Sequence, residues 1–429
     1  MTPEQKERLR NFIDDGEKEP PPVFVGRENI LDEIIRKSVR AFAKGRSPQG
    51  STRVIQGAPG AGKSSLLSEL SLRSKESALP RVVKISDINL KQNIPNIIRS
   101  IALTGTMTEK SWAVVLQRYR EKWAERLEPL QGLALDFNLD IDLSKFINKG
   151  HINTLIELEE KIPSNRWHSS VILAVDEAQN LPPGNYTPHA DFLQSIHNST
   201  TSLPITQVLA GLSDTQERVL QMGMTNGVRF HTIGCLSRSE QIELIDKFCD
   251  HFGIEIGSQR KILMEFFAPT NGWPRHMYWA QQALAEILLD PDIDGYMDNI
   301  EDWVSLQKRR DEFRIGYYQV QTSPDMESSR KLLAAVLMEV GRKQNNNERF
   351  FFDEVKDAVI KHESKDKGSG WQIPEGLNAQ SYLQHLIRRG VLQKDSRSES
   401  YVCPIPSFQS YLIEQGGLDP ENLNEYTGP

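Results

Sequence analysis

The sequence predicts an α/β fold: a parallel sheet with helices on both faces, then a smaller helical region, then three helices closed by a hairpin. Three observations carry this reading. "TRVIQ" (Thr52–Gln56) is a short β-rich run that passes through a glycine-rich loop into the helical run "SSLLSELSLRS". "VILAV" (Val171–Val175) is continuously apolar, as suits a central parallel strand covered on both faces. From about Ser329 the pattern changes to three amphipathic helical runs followed by a polar-tipped hairpin.

The bulk properties set limits on function. A chain of 429 residues is long enough for two or three domains with separate cores. With 38% hydrophobic and 25% charged residues it has the composition of a folded chain. A net charge of −7 excludes a uniformly basic nucleic-acid coat and leaves room only for a local basic face. The three cysteines, Cys235, Cys249 and Cys403, lie far apart without CxxC spacing, so neither a disulfide framework nor a cysteine zinc site is expected. A reducing cytoplasm fits that usage. No stretch has the length of a signal-peptide core or a membrane span. The nine histidines show no HExxH spacing, and no Ser-His-Asp or cysteine protease signature is present.

The loop after the first strand is the most specific feature. Gly57, Ala58, Pro59, Gly60, Ala61, Gly62, Lys63 and Ser64 satisfy G-x-x-x-x-G-K-S/T between a strand and a helix, which defines a phosphate-binding P-loop. Glycines let successive backbone N–H groups face one concavity, and the positive end of the following helix adds to the attraction for phosphate. Lys63 is placed to reach the β- and γ-phosphates, and the Ser64 hydroxyl to bind the magnesium that bridges them. Ser65 follows at the exit of the cradle as an early helix residue. The predicted sheet is therefore that of a P-loop NTPase.

Hydrolysis needs an acidic partner, and "VILAVDE" supplies it: Asp176 and Glu177 leave the carboxyl end of a buried strand. Asp176 is expected to hold magnesium through its coordination shell, and Glu177 to polarise the attacking water.

This pair of motifs resembles the AAA+ ATPases, in particular the branch of replication initiators and transposition-regulating ATPases, over roughly residues 23–287. The resemblance implies roles for further residues. In "FVGRENILDEI" (Phe24–Ile34), Val25 and Gly26 would offer backbone contacts to adenine. After "PITQVLAGL", Ser213 or Asp214 would stand at the sensor-1 position, where the family has asparagine or threonine. In "NGVRFHTIG", Arg229 would act as an arginine finger toward a neighbouring subunit, with Arg218 in reserve. In "NGWPRHMYWAQQAL", Gly272 and Pro274 would start a lid helix and Arg275 would point back at the phosphates as sensor 2.

Between "VVKISDI" and the acidic strand lie about eighty residues, more than one crossover needs, so an insertion is expected at about 92–165. It holds a helical piece, "TEKSWAVVLQRYREKWAERLE", and an alternating one, "GLALDFNLDIDL". The latter begins like a calcium loop, but Ile141 and Ile147 replace the glycine and glutamate that such a loop requires.

The final three helices and hairpin resemble a winged helix. Its third helix would turn Gln384, His385 and Arg388 outward, and pack Leu383, Leu386 and Ile387 inward. The charge there is nearly balanced, so duplex DNA and a protein surface both stand as partners.

The expected organisation is a tail over 1–22, a nucleotide-binding core over 23–236, a lid over 237–290, a helical linker over 291–328, a winged helix over 329–415 and a tail over 416–429. The expected activity is Mg2+-dependent ATP hydrolysis by a self-associating protein that organises a DNA or protein assembly. The alternative is a nucleotide-controlled signalling or defence switch.

Overall fold

The computed structural model describes residues 2–15, 21–44, 50–76, 80–85, 94–107, 154–182, 184, 187–254, 260–289, 328–345, 348–363, 370–394, 400–405, 407–408 and 411. The middle of the expected insertion, with its helical and alternating pieces, the linker over 291–327, the hairpin tip and the tail over 416–429 lie outside the described residues.

Five strands form one parallel sheet in the order β2-β3-β4-β1-β5: β1 (Thr52–Gln56), β2 (Arg81–Ile85), β3 (Val171–Val175), β4 (Ile205–Gly211) and β5 (Arg229–Thr232). Parallel neighbours need long crossovers, and helices supply them. The described ones in the core are α2 (Glu28–Ala43), which precedes β1, then α3 (Lys63–Glu76), α4 (Ile94–Thr106), α5 (Leu155–Lys161), α6 (Pro188–His197) and α7 (Thr215–Gln221). β1, β3 and β4 are buried along their whole length. Only the edge strand β5 is open to solvent at both ends.

Side-chain alternation distributes each central strand between two apolar layers. Ile55, Ile172, Ala174, Val208 and Ala210 pack with Leu31 and Ile34 of α2 and Leu66, Leu67 and Leu70 of α3. Val54, Leu173, Val175 and Leu209 face the other way, against Ile98 and Ile101 of α4 and Leu193 and Ile196 of α6. Each valine, leucine or isoleucine among them contributes about 1.5–3 kcal/mol on full burial, so the layers hold the strand ends in fixed register.

A third apolar layer joins α8 (Arg238–Phe252), α9 (Arg260–Phe267) and α10 (Pro274–Leu288). A capping box starts α8: Ser237 Oγ accepts from Glu240 N–H at 3.3 Å, and the Glu240 carboxylate accepts from Ser237 N–H at 2.6 Å. The opening residues, expected as a tail, include a helix, α1 (Pro3–Asp15), that docks on this layer. Phe12 meets Phe248 and Tyr278 at ring-centroid distances of 5.5 and 5.4 Å. Charged residues dominate α1, and its two inward anchors, Leu9 and Phe12, are too few to stand out as a periodic stripe.

The carboxy-terminal part has α11 (Arg330–Asn345), α12 (Phe352–His362), α13 (Ala379–Arg388) and the antiparallel pair β6 (Gln393–Lys394) and β7 (Tyr401–Val402). This is the element order of a winged helix. Leu383 and Leu386 are fully buried as expected, together with Tyr382, while Gln384 and Arg388 are exposed and His385 and Ile387 are half-buried. The core of this part is continuous with the α2–α3 side of the sheet.

Replacing Phe12 by alanine empties the contact between α1 and α8. The expected loss is about 3 kcal/mol of unfolding free energy, read as a lower urea midpoint; an unchanged midpoint would show α1 to be detached in solution.

Candidate nucleotide-binding site

β1 ends at Gln56, and the chain is at once tied to both neighbouring strands. Gly57 N–H donates to Gly211 O at 3.2 Å, and Ile233 N–H donates to Gln56 O at 2.8 Å. The loop then folds on itself through Ala61 N–H to Ala58 O at 3.1 Å. Gly60 and Gly62 have φ of 81° and 90°, a region that side-chain-bearing residues rarely adopt. A Cβ on Gly57 would lie 2.6 Å from Ile233 O, so bareness there is steric as well as conformational.

The first hydrogen bond of α3 runs from Leu66 N–H to Gly62 O at 3.0 Å. The amides of Lys63, Ser64 and Ser65 therefore stand ahead of the helical ladder, at the positive end of the helix. Ser64 is exposed and Ser65 half-buried, while the side chain of Lys63 is buried. Lys63 Nζ donates to Gly57 O at 2.8 Å and Ala58 O at 3.1 Å. Burial pushes this ammonium down to about 8, against the opposing pull of Glu177 and Asp176. The acidic strand end and the glycine loop therefore share one electrostatic neighbourhood, as the motifs predict.

Strand register explains that meeting. Gln56 pairs with Gly211, and Val175 pairs with Leu209, so Asp176 and Glu177 continue from β3 toward the level of Gly211. Asp176 is buried and its N–H donates to Ile85 O at 2.9 Å. Its Oδ1 accepts from Glu177 N–H at 3.1 Å, and its Oδ2 lies 4.0 Å from Lys84 Nζ. Glu177 is exposed and has a left-handed φ of 54°, strain of the kind that accompanies a residue aimed by its surroundings. Gln179, which sequence reasoning missed, holds it: Nε2 donates to the Glu177 carboxylate, while Oε1 accepts from Leu212 N–H at 3.1 Å. The signal was local, since Gln179 sits two places after Glu177 in "DEAQN".

The other expected site residues divide between the two rims of the sheet. Ser213 and Asp214 follow β4, and Ser213 Oγ and Asp214 Oδ1 are buried without a hydrogen-bond partner among the described residues. Burial pushes the Asp214 carboxyl up, against the pull of Arg218 and of Arg388. Arg218 is engaged within the chain, 3.5 Å from Asp214 Oδ2 and donating to Leu181 O at 2.9 Å. Arg229 opens β5 opposite Arg53, at the end of the strands remote from the loop. Its side chain is 65% exposed and 3.2 Å from Glu33 Oε1, in a group with Arg53 and His231.

Val25 and Gly26 precede α2 beside the start of α8. Val25 is buried in the third apolar layer, and a Cβ on Gly26 would lie 2.8 Å from Glu240 Cδ. Arg275 is the second residue of α10, and its N–H donates to Gly60 O at 3.2 Å. Its guanidinium lies 5.5 Å from the ring centre of Trp279. A Cβ on Gly60 would be 2.9 Å from both Arg275 Cβ and Trp273 Nε1, so the lid helix starts directly against the loop.

Two further residues at the loop come from the carboxy-terminal part and had no sequence signal. Gln393 Oε1 accepts from Ala58 N–H at 3.1 Å, and Gly390 packs on Pro59 and Ala58. They lie more than three hundred positions from the loop in sequence.

The donor set fits a nucleoside triphosphate with its magnesium: bare glycines, amides at a helix start, one ammonium, one hydroxyl and two carboxylates. Because its ammonium form is disfavoured in the folded chain, Lys63 loses its proton there before it does in the unfolded chain. Wild-type unfolding free energy should therefore rise relative to Lys63→Met as pH increases from about 8 toward 10.5, where the unfolded lysine titrates. Urea titrations across that range check this, and parallel curves would count against a buried ammonium.

No family model matches the chain, and no curated protein matches it by sequence. Among solved structures, the Walker-type ATPase of Pyrococcus abyssi is similar at 16% identity, over 90% of this chain and 97% of that one, with a TM-score of 0.49. Cdc6p of Pyrobaculum aerophilum is similar at 14% identity, over 97% and 98%, with a TM-score of 0.42. Orc1 of Aeropyrum pernix, solved in complex with DNA, is similar at 13% identity, over 94% and 96%, with a TM-score of 0.40. By its own strand order, glycine loop and acidic strand end, the chain has a P-loop NTPase fold, followed by a carboxy-terminal part with the element order of a winged helix.

Proposed function

We propose that this chain binds ATP with Mg2+ and hydrolyses it as an AAA+ protein that self-associates and organises a DNA or protein assembly. The observation that carries the reading is the buried Lys63 ammonium, set between the glycine loop and the carboxylates of Asp176 and Glu177 at one rim of the sheet.

The loop amides and Lys63 bind and orient the triphosphate, with donors already fixed in place before its negative charge arrives. Ser64 and Asp176 are the residues that would hold magnesium, which when bound neutralises charge on the β- and γ-phosphates. Glu177, aimed by Gln179, orients the attacking water and takes its proton at a carboxylate oxygen. Arg275 approaches the phosphates from the lid, Ser213 or Asp214 contacts the γ-phosphate end, and Val25 and Gly26 line the adenine side. Arg229 faces away from its own loop, exposed for the nucleotide of a neighbouring copy. Arg218, already bonded to Leu181 and Asp214, is the poorer candidate for that role. The exposed Gln384 and Arg388 of α13 offer a small polar face to DNA or protein.

Lys63→Ala should lose at least a hundredfold in affinity for a fluorescent ATP analogue. Glu177→Gln should bind the analogue as the wild type does and lose turnover by at least a hundredfold; normal turnover by this variant would sink the assignment. Arg229→Ala should keep nucleotide affinity, lose turnover, and regain part of it when mixed with Lys63→Ala chains, because a mixed interface in one of its two orientations pairs an intact loop with an intact finger. Absence of complementation would remove Arg229 from the role.

A further inference from the structure

Residues remote in sequence meet on one peptide group of the glycine loop. The Gly57–Ala58 peptide is hydrogen-bonded at both ends: its carbonyl accepts from Lys63 Nζ at 2.8 Å, and its N–H donates to Gln393 Oε1 at 3.1 Å. Lys63, this peptide and Gln393 thus form one chain of hydrogen bonds, in which each bond polarises the next. Gln393 is buried at the first position of β6, immediately after the turn that leaves α13.

The same turn makes a steric contact. Gly390 has φ 73°, and a Cβ built on it would overlap the Pro59 ring and stand 3.5 Å from Ala58 Cα. Only glycine fits there without displacing the turn from the loop. A second seam lies alongside, where Ser407 Oγ is 3.2 Å from His276 Nδ1 of α10. The winged-helix part is therefore seated on the glycine loop and on the lid helix together. Arg388, at the end of α13, is near enough to act on the half-buried Asp214 carboxyl.

We propose that the Gly57–Ala58 peptide is a relay between the phosphate-binding lysine and the carboxy-terminal domain, with the turn Gly390–Gln393 as a positioning element that is released when nucleotide phosphates take Lys63. The direction follows from the bonds. To reach phosphate, the Lys63 ammonium must leave the carbonyls of Gly57 and Ala58, and the relaxed peptide is then a weaker donor to Gln393. Linkage makes the effect reciprocal: the seated turn weakens nucleotide binding by the same factor as bound nucleotide loosens the turn, so a chain whose turn is unseated binds nucleotide more tightly. The relay rests on the ATP reading and adds a consequence to it, since nucleotide occupancy alters how firmly the winged helix is held and hence which of its surfaces is free.

The test measures affinity for a fluorescent, non-hydrolysable ATP analogue with magnesium in three chains. Gln393→Met keeps length and removes the acceptor; Gly390→Ala pushes the turn off Pro59; Gln380→Ala, on the exposed face of α13, is the control. The first two should bind about three- to tenfold more tightly than the wild type, and the control should match the wild type. Hydrogen exchange on the wild type, which needs no substitution, should show faster exchange over 379–394 with the analogue bound than without it. Unchanged or weaker affinity in both variants, or exchange that does not respond to the analogue, overturns the relay while leaving the ATP site standing. A wild type that binds no analogue overturns both.

Discussion

The parallel alignment of β1, β4 and β3 is the constraint on which the site depends. Three strands running the same way must release their chains at the same rim, and the register sets how far each one travels. With Gln56 level with Gly211, and Val175 level with Leu209, the glycine loop and the acidic pair leave on either side of the end of β4. Gly57 and Gln179 then fasten both exits to that end, through Gly211 O and Leu212 N–H. An antiparallel β3 would send its carboxylates to the far rim and leave Lys63 buried without counter-charge.

Burying an ammonium is costly, and the chain offsets that cost with carbonyls of the loop itself and with two carboxylates at longer range. This makes Lys63 a mobile partner. Its present acceptors are neutral, and a polyphosphate would be a stronger one. The opposite rim follows another electrostatic logic. There Glu33 is shared by Arg53, Arg229 and His231, so one carboxylate holds several basic groups and Arg229 keeps most of its side chain in solvent. The sheet thereby separates a buried cation at its carboxyl rim from an exposed one at its amino rim.

The carboxy-terminal part is packed into the same molecule by more than its linker. Its apolar core runs into the α2–α3 layer of the sheet, and its turn touches the loop at Ala58 and Pro59. Every bare stretch of the loop has a neighbour of different origin: Ile233 beside Gly57, the start of α10 beside Gly60 and Gly62, and the turn after α13 at Ala58 and Pro59. A loop enclosed in this way touches three parts of the chain at once. The docking also turns the carboxyl end of α13 toward the nucleotide site, while Gln380, Gln384 and Arg388 keep exposed side chains.

Local patterns by themselves determined the glycine loop, the acidic strand end, the continuous apolar strands and the inward residues Leu383 and Leu386. Each is a matter of residue type at short spacing, where backbone freedom, strand burial or helical period leaves a direct trace in the letters. The docking of α1 was not legible, because two apolar anchors in a charged helix leave no periodic stripe. Gln393 and Gly390 were less legible still. Glutamine and glycine are ordinary in a turn, and their contact with Ala58 and Pro59 exists only once two separately folded layers meet. Tertiary structure decided those contacts, and with them the strand register that carries Asp176 and Glu177 to Lys63, because hydrogen bonds and steric fit between distant segments depend on how whole layers pack.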